Sequence, residues 1–474
     1  MVWTITTFLF FTGIVGVIAY YRTRDDRLDT SDSYFLAGRD LTGWVIGSSM
    51  LLTNLSAEHL IGLNGQGYRS NLSSMAWETT PAFATVVMAL YFMPRYLRGA
   101  FTTLPEFFED RYDDRTRRLM SVLMLLGYIT ITLPAGCLYP GAVALNRIFN
   151  IEEMLGVTPG VALWISVWFV GLVGAAYAVF GGLKAVAVSD SINGIGLLIG
   201  GLMVPLFALL ALGNGSLADG FARIVRDSPD KLNAIGSATD PVPFGTIFTG
   251  MVLANLFYWG TNQAIIQRCL GARNLAEAQK GVLMAGFFKL FVPVIMMLPG
   301  IAAYHLFPNL DNPDHAYPVL VAAVFPTLLM GFFTAVLFGA VLSTYNSILN
   351  SAATMVCLDI YKPLFNPDID DAALIRKGKQ VAVLLGVSRF KPRAQPYQMR
   401  QDRPRVDLTP WKYGPPFATL LMALLIFIYL LCSPLGMASR EGPGMPFYLA
   451  TAALALATAA LLYRMRRRDA AATS

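Results

Sequence analysis

Charge is scarce in this sequence. Asp, Glu, Lys and Arg make up 14% of its 474 residues, against about a quarter in a soluble domain, which argues against a water-exposed globular body. Histidine is rarer still: His59, His305 and His315 are too dispersed to form a metal set or a nucleophile–base pair. The four cysteines, Cys137, Cys269, Cys357 and Cys432, lie in or beside apolar stretches without a paired framework or metal-ligand spacing. They read as small buried residues. There is no P-loop, no Gly-x-Gly-x-x-Gly run between a strand and a helix, and no pair of catalytic carboxylates, so nucleotide-driven chemistry and an intramembrane enzyme both lack their usual carriers.

What is abundant is apolar length. Hydrophobic residues make up 55% of the chain, mean hydropathy is +0.53, and apolar runs of about 20 residues, long enough to cross a bilayer as helices, recur along it. Crossings are expected at 2–21, 41–63, 72–94, 117–146, 160–180, 185–212, 245–267, 280–306, 317–358, 415–433 and 446–464. The run 317–358 is longer than one crossing needs. The first run has no basic segment before it and Arg22, Arg24 and Arg27 after it, so it is expected to be a retained helix.

The net charge of +6 does not form a nucleic-acid surface, because the cations sit in short loops. The loops 22–40, 94–118, 181–184, 268–280 and 359–380 hold them, among them Arg95, Arg117, Lys184, Arg268 and Lys362, while the loops between are cation-poor or acidic. The positive-inside rule then puts the N-terminus outside and these loops in the cytoplasm, consistently over the first nine expected crossings.

After that the pattern fails. Arg376 to Val387 begins like a helix, stops after a few apolar residues, and runs into a basic, proline-rich stretch. The stub is far too short to span. An internal deletion of an even number of crossings accounts for it and leaves the C-terminus inside; the alternative is a natural short form whose stub lies in the interface.

Two expected helices carry polar interruptions. Asn54, Ser56, Glu58 and His59 break the first, followed by Gly62, Gly65 and Gly67; Asn255, Gly260, Thr261, Asn262 and Gln263 break the second. Polar groups at membrane depth are expensive and usually face a pathway. Interrupted helices at corresponding places in two halves point to a transporter's substrate and ion sites. A third polar stretch holds Ser343, Thr344, Ser347, Asn350 and Ser351. Its hydroxyls are hard ligands suited to a small alkali cation, although Ser and Thr also serve as small packing residues between membrane helices, the more ordinary use.

Five ordered segments resemble the sodium–sugar branch of the solute:sodium symporter family: SDSYFLAGRDLTGWVIGSS from Ser31, NLSAEHLIGLNGQGY from Asn54, GGLKAVAVSD from Gly181, ANLFYWGTNQAIIQR from Ala254 and LNSAATMVCLDIYK from Leu349, with DLTPWKY returning at Asp407. The resemblance implies an all-α polytopic membrane protein with the inverted-repeat (LeuT-like) transporter fold. Its expected parts are an extra helix and loop (1–40), a first five-helix repeat (41–212), an extracytoplasmic loop (213–244), an incomplete second repeat (245–388), a basic cytoplasmic linker (389–414) and two C-terminal helices (415–474).

The same resemblance implies a sodium site of backbone carbonyls and two hydroxyls, falling on Leu52, Leu55, Ala340, Ser343 and Thr344. Asp190 matches an acidic residue implied in sodium release; read by itself, it fits a helix-end carboxylate paired with Lys184 equally well. The sugar contacts fall on His59, Glu78, Asn255 and Lys289, with Tyr258 stacking under the ring and Leu63 and Trp77 as the outer gate. Without the resemblance, Glu78 with Lys289 reads as a structural ion pair and Tyr258 as a packing aromatic. The chain departs from the family by lacking most of the ninth core helix and all of the tenth, which supplies a gate aromatic and a further sugar contact.

The expected function is sodium-coupled import of a monosaccharide of the glucose or galactose type. The membrane potential would contribute about 2.3 kcal/mol per charge per 100 mV. The alternatives are symport of sialic acid, inositol or an amino acid, and a truncated relative that binds sugar without transporting it. A carboxylate substrate would call for an Arg or an exposed helix N-terminus in the site; Lys289 is present but no clear intramembrane Arg is, which leans mildly against acids. Sodium ion, a sugar and membrane lipid are the expected partners, with no nucleic acid and no legible oligomeric state. The expected location is the plasma (inner) membrane, crossed many times.

Overall fold

The computed structural model describes residues 2–24, 30–384 and 406–473. Helices dominate them, and extended pairing is limited to two isolated bridges, Leu41 with Ala272 and Asn274 with Asp407. The chain opens with α1 (Val2–Thr23). The first expected broken helix follows as α2 (Gly43–Asn54) and α3 (Ala57–Arg69). Residues 72–99 and 114–149 form two further rods of short α segments joined by 3-10 and π turns. Beyond them come α4 (Pro159–Leu212), the second broken helix as α5 (Gly250–Thr261) and α6 (Gln263–Leu270), then α7 (Leu275–Lys289) and α8 (Leu298–Leu306). The chain continues through α9 (Thr327–Met355), α10 (Asp371–Leu384), α11 (Gly414–Leu431) and α12 (Met445–Thr473).

Among the described residues, five helices are long and apolar enough to cross a membrane, and two bent pairs raise the number to seven. The other expected crossings are present but interrupted, and an interrupted helix cannot show a full unbroken span. The expected helices 160–180 and 185–212 meet without a loop within α4, at a kink where Gly182 takes φ 57° and ψ −168°. A side chain there would be strained, and a Cβ would lie 3.0 Å from the carbonyl of Tyr34.

The expected run 317–358 is corrected. It divides into a short helix, Ala316–Val324, and α9, which continues through a π turn to Phe365. Pro326 holds Phe325 extended, with φ −84° and ψ 129°, as a residue before proline prefers. The stub is a regular helix as far as Leu384; residues 385–387 and the linker's 389–405 lie outside the described residues. The end of that linker docks: the N–H of Leu275 donates to Asp407 O (3.0 Å) and that of Trp411 to Gln279 Oε1 (2.7 Å).

The core sits around α9. Of its apolar span 94% is buried, against 6% for the last helix. α9 packs on α1, α2 and α4, and α7 packs on α2. Glycine permits that second approach, since a Cβ on Gly47 would stand 2.8 Å from the carbonyl of Gly281, a small-residue contact typical of membrane helices. The two broken helices are also tied end to end: the N–H of Leu41 donates to Gly271 O (3.0 Å), and that of Arg273 to Leu41 O (3.1 Å).

Candidate functional site

The first break falls at Leu55 and Ser56, both extended, with ψ of 92° and 168°. Breaking the helix there removes the intrahelical donors for the last carbonyls of α2. One of them, Thr53 O, accepts a hydrogen bond from Thr344 Oγ1 (2.9 Å), which also lies 3.3 Å from Ala340 O. Leu52, Leu55, Ala340, Ser343 and Thr344 are all buried. Ser343 Oγ bonds no carbonyl of the chain and faces the Asp190 carboxylate. Carbonyl and hydroxyl oxygens of this kind suit a hard cation.

Beside Ser343 is a small cavity of about 30 Å³ that Asp190 also lines, room for one water or bare ion. Asp190 is buried and accepts a hydrogen bond from Ser49 Oγ (2.6 Å). Its cationic neighbour is Arg268, at 3.5 Å, and not Lys184, which faces Asp40 at 4.0 Å. Arg268, expected in a cytoplasmic loop, is 0% exposed. It donates to Ser49 Oγ (2.5 Å), to Ser347 Oγ and to the carbonyl of Ala264. An arginine after an apolar run reads as a boundary, and here it is instead a fully bonded interior residue. Gln267 next to it bonds Thr354 (2.9 Å) and Ser351 (2.7 Å). Ser347 and Ser351, part of the third polar stretch, are therefore engaged by α6.

Between the breaks lies a cavity of about 690 Å³ lined by His59, Leu63, Trp77, Asn255 and Tyr258 together with Thr53 and Thr344. The structure thus brings five of the seven predicted sugar and gate residues onto one space. The remaining two, Glu78 and Lys289, stand behind the wall. They form a buried ion pair, and Lys289 Nζ also donates to Asn54 Oδ1 (2.5 Å). Glu78 Oε1 has no hydrogen-bond partner and lies 3.9 Å from His59 Nε2. His59 is held from its other nitrogen by Ser56 Oγ, at 2.9 Å. A chain of groups therefore leads from the cavity through His59 to a charge pair that is already neutral. Asn255 spends its amide N–H on Met251 O (3.0 Å), and Tyr258 follows it on the cavity side of α5.

The second break is at Asn262, with φ −81° and ψ 118°. Asn262 Oδ1 accepts from the N–H of Ala264 (3.0 Å) and from the hydroxyl of Tyr128 (2.5 Å), and Tyr128 in turn accepts from that same N–H (2.9 Å). Sequence reasoning missed Tyr128, Arg268 as an interior residue, and Gln66 and Thr132 in the cavity wall. Tyr128 and Thr132 lie on a π turn, and no helical period could have shown which way they face.

The profile of the sodium:solute symporter family matches residues 34–398. The chain is 46% identical over 383 residues to the uncharacterized symporter YidK of Escherichia coli (strain K12), covering 81% of this chain and 67% of that protein. It is 34% identical over 406 residues to the sodium/glucose cotransporter of Vibrio parahaemolyticus, covering 80% and 72%. In three dimensions it shares its fold with a sodium-coupled sialic acid symporter solved in a substrate-bound outward-open state, with a TM-score of 0.70 at 19% identity over 92% of this chain and 85% of that one. These proteins are transporters, not enzymes. The chain is a multi-pass membrane protein that belongs to the sodium:solute symporter family.

Proposed function

We propose that the cavity between the two breaks binds a neutral monosaccharide, and that a sodium ion held by Leu52, Leu55, Ala340, Ser343 and Thr344 stabilises the sugar-competent state. The observation that carries this reading is the sharing of Thr53 and Thr344 between the cavity wall and the oxygen cluster. A cation there fixes the wall against which the sugar rests, and by linkage the sugar raises sodium affinity by the same factor. Neutrality of the substrate follows from the cations nearby: Lys289 is matched by Glu78 and Arg268 by Asp190, so neither is spare for a carboxylate. In this reading Asn255 and His59 hydrogen-bond hydroxyls, Tyr258 covers the apolar ring face, and Leu63 with Trp77 closes the outer side. Asp190 receives sodium as it leaves towards the cytoplasm, the side to which the basic loops are assigned.

A second reading concerns flux. The chain spans 67% and 72% of the two relatives, and the helix begun at Asp371 gives way to a basic, proline-rich stretch. In this reading the second repeat lacks its last helices, and binding outlasts transport. Both readings are tested together by measuring radiolabelled glucose and galactose binding, and uptake into proteoliposomes, with and without sodium. Sodium-stimulated binding lost in Tyr258→Ala and Ser343→Ala supports the site, and uptake much weaker than binding supports the second reading. Binding of sialic acid that glucose and galactose fail to displace overturns the sugar assignment.

A further inference from the structure

Four arginines crowd into the last turns of α12: Arg464, Arg466, Arg467 and Arg468. Each is exposed, and one acid, Asp469, follows them in sequence. Arg464, Arg467 and Arg468, spaced by three and four residues, share one helix face. Leu449, Leu456 and Tyr463 continue that face along the helix, and each is more than half exposed. Thr419 Oγ1 lies 3.8 Å from Met465 Sδ, which sets the arginines beside the first turns of α11. There Lys412 lies over the exposed Tyr413 ring at 5.8 Å. On the 72–99 rod, which packs against α11, Arg95 covers the exposed Tyr91 ring at 3.6 Å. Arg467 covers Tyr463 in the same way at 5.0 Å. Exposed tyrosines under long cationic side chains are the mark of the headgroup level of a bilayer. Among the described residues, none of these six cations forms an ion pair with a carboxylate.

We propose that this end of α12 is a docking surface for the headgroup of an anionic phospholipid. Its phosphate is held by Arg464, Arg467 and Arg468, and an acyl chain lies along the face of Leu449 and Leu456. Charge complementarity selects the occupant: the planar guanidinium fork matches phosphate oxygens two at a time, and no carboxylate competes for it. Position selects a lipid over a soluble anion, because the cations stand at the foot of an exposed apolar helix face. Basic clusters directly beside a membrane span draw anionic headgroups. The surface lies outside the sugar cavity and the oxygen cluster, so it stands or falls independently of the transport reading.

The test counts lipid adducts by native mass spectrometry of the full chain in a neutral detergent. The chain is titrated with dioleoylphosphatidylglycerol and, separately, with dioleoylphosphatidylcholine. The first phosphatidylglycerol is expected to bind about tenfold tighter than the first phosphatidylcholine. In the triple variant Arg464→Gln, Arg467→Gln, Arg468→Gln that preference is expected to vanish, with the unfolding midpoint unchanged because the side chains are exposed. The triple variant Arg22→Gln, Arg111→Gln, Arg115→Gln removes the same charge from other exposed positions and is expected to keep the preference. Equal affinity for the two lipids overturns the proposal. So does an equal loss in the two triple variants, which would show that net charge alone recruits the lipid. Displacement of phosphatidylglycerol by millimolar sn-glycerol 3-phosphate also overturns it, in favour of a free anion, whereas failure to displace supports a lipid held by headgroup and chain together.

Discussion

The two interrupted helices solve the same backbone problem with different chemistry. At Asn262 the break is closed by neutral groups, the residue's own amide and the Tyr128 hydroxyl. At Leu55 and Ser56 no side chain caps the new helix start: Ser56 is turned to His59 and Asn54 to the Lys289–Glu78 pair. The carbonyls that end α2 face a different partner: Thr53 O accepts from Thr344 Oγ1 (2.9 Å), which sets the hydroxyl cluster of α9 opposite them. In the proposed reading the first break binds the ion and the second, held by its own side chains, positions the cavity wall.

The sharpest way to break this contrast is to remove charge from the first break. Lys289→Met leaves Glu78 buried without its partner, and such losses cost about 3–5 kcal/mol. The expected result is a large fall in unfolding midpoint, partly restored in the double variant Glu78→Gln with Lys289→Met. If the double variant is no better than the single one, the pair is not what stabilises this break.

Next in size are the hydroxyls of α9. Thr344→Ala removes the hydrogen bond to Thr53 O as well as a proposed sodium ligand, so both stability and sodium affinity should drop. Ser343→Ala removes an oxygen that faces Asp190 but bonds no carbonyl. Its apo stability should fall less than that of Thr344→Ala while sodium affinity falls about tenfold or more, roughly 1.4 kcal/mol. Sodium titrations of sugar binding in the two variants separate a ligand from a packing hydroxyl. Smaller again is Tyr128→Phe, which strips two hydrogen bonds from the second break at about 1 kcal/mol each. Sugar affinity should weaken with sodium affinity at saturating sugar little changed, and that split would be absent if Tyr128 merely packed.

The membrane fold, both breaks and the order of the helices were legible because bilayer thickness and the cost of buried polar groups act on local sequence. Five of the seven sugar and gate residues face one cavity, which the family resemblance had implied. What escaped was decided by tertiary contact. Arg268 looked like a loop cation because the sequence cannot show Ser49, Asp190 and Ser347 converging on it. Tyr128 lies where the helix widens into a π turn and its facing departs from the 3.6-residue period. The apolar run before Lys362 concealed a turn because Pro326 is a single residue within a long hydrophobic stretch.

The smallest effect concerns the Arg69 end of the first broken helix, which a lysine from another segment braces. Lys231, in the loop after α4, donates to Tyr68 O (2.7 Å) and Ser70 O (3.1 Å) and lies over the Tyr304 ring at 4.0 Å. Burial lowers its pKa to about 8, whereas the unfolded chain holds that proton to about 10.4. Between those values the unfolded state binds more protons, so stability rises with pH. The side chain is half-buried, and solvent screening keeps the gain small, on the order of a degree in unfolding midpoint for a chain of this size. The difference in midpoint between the parent and Lys231→Met, followed from pH 7 to 10, should therefore widen in favour of the parent as the pH passes about 8. A difference that stays flat across this range would mean that the ammonium is solvated in the folded state, and α3 would then be braced at this end by packing alone.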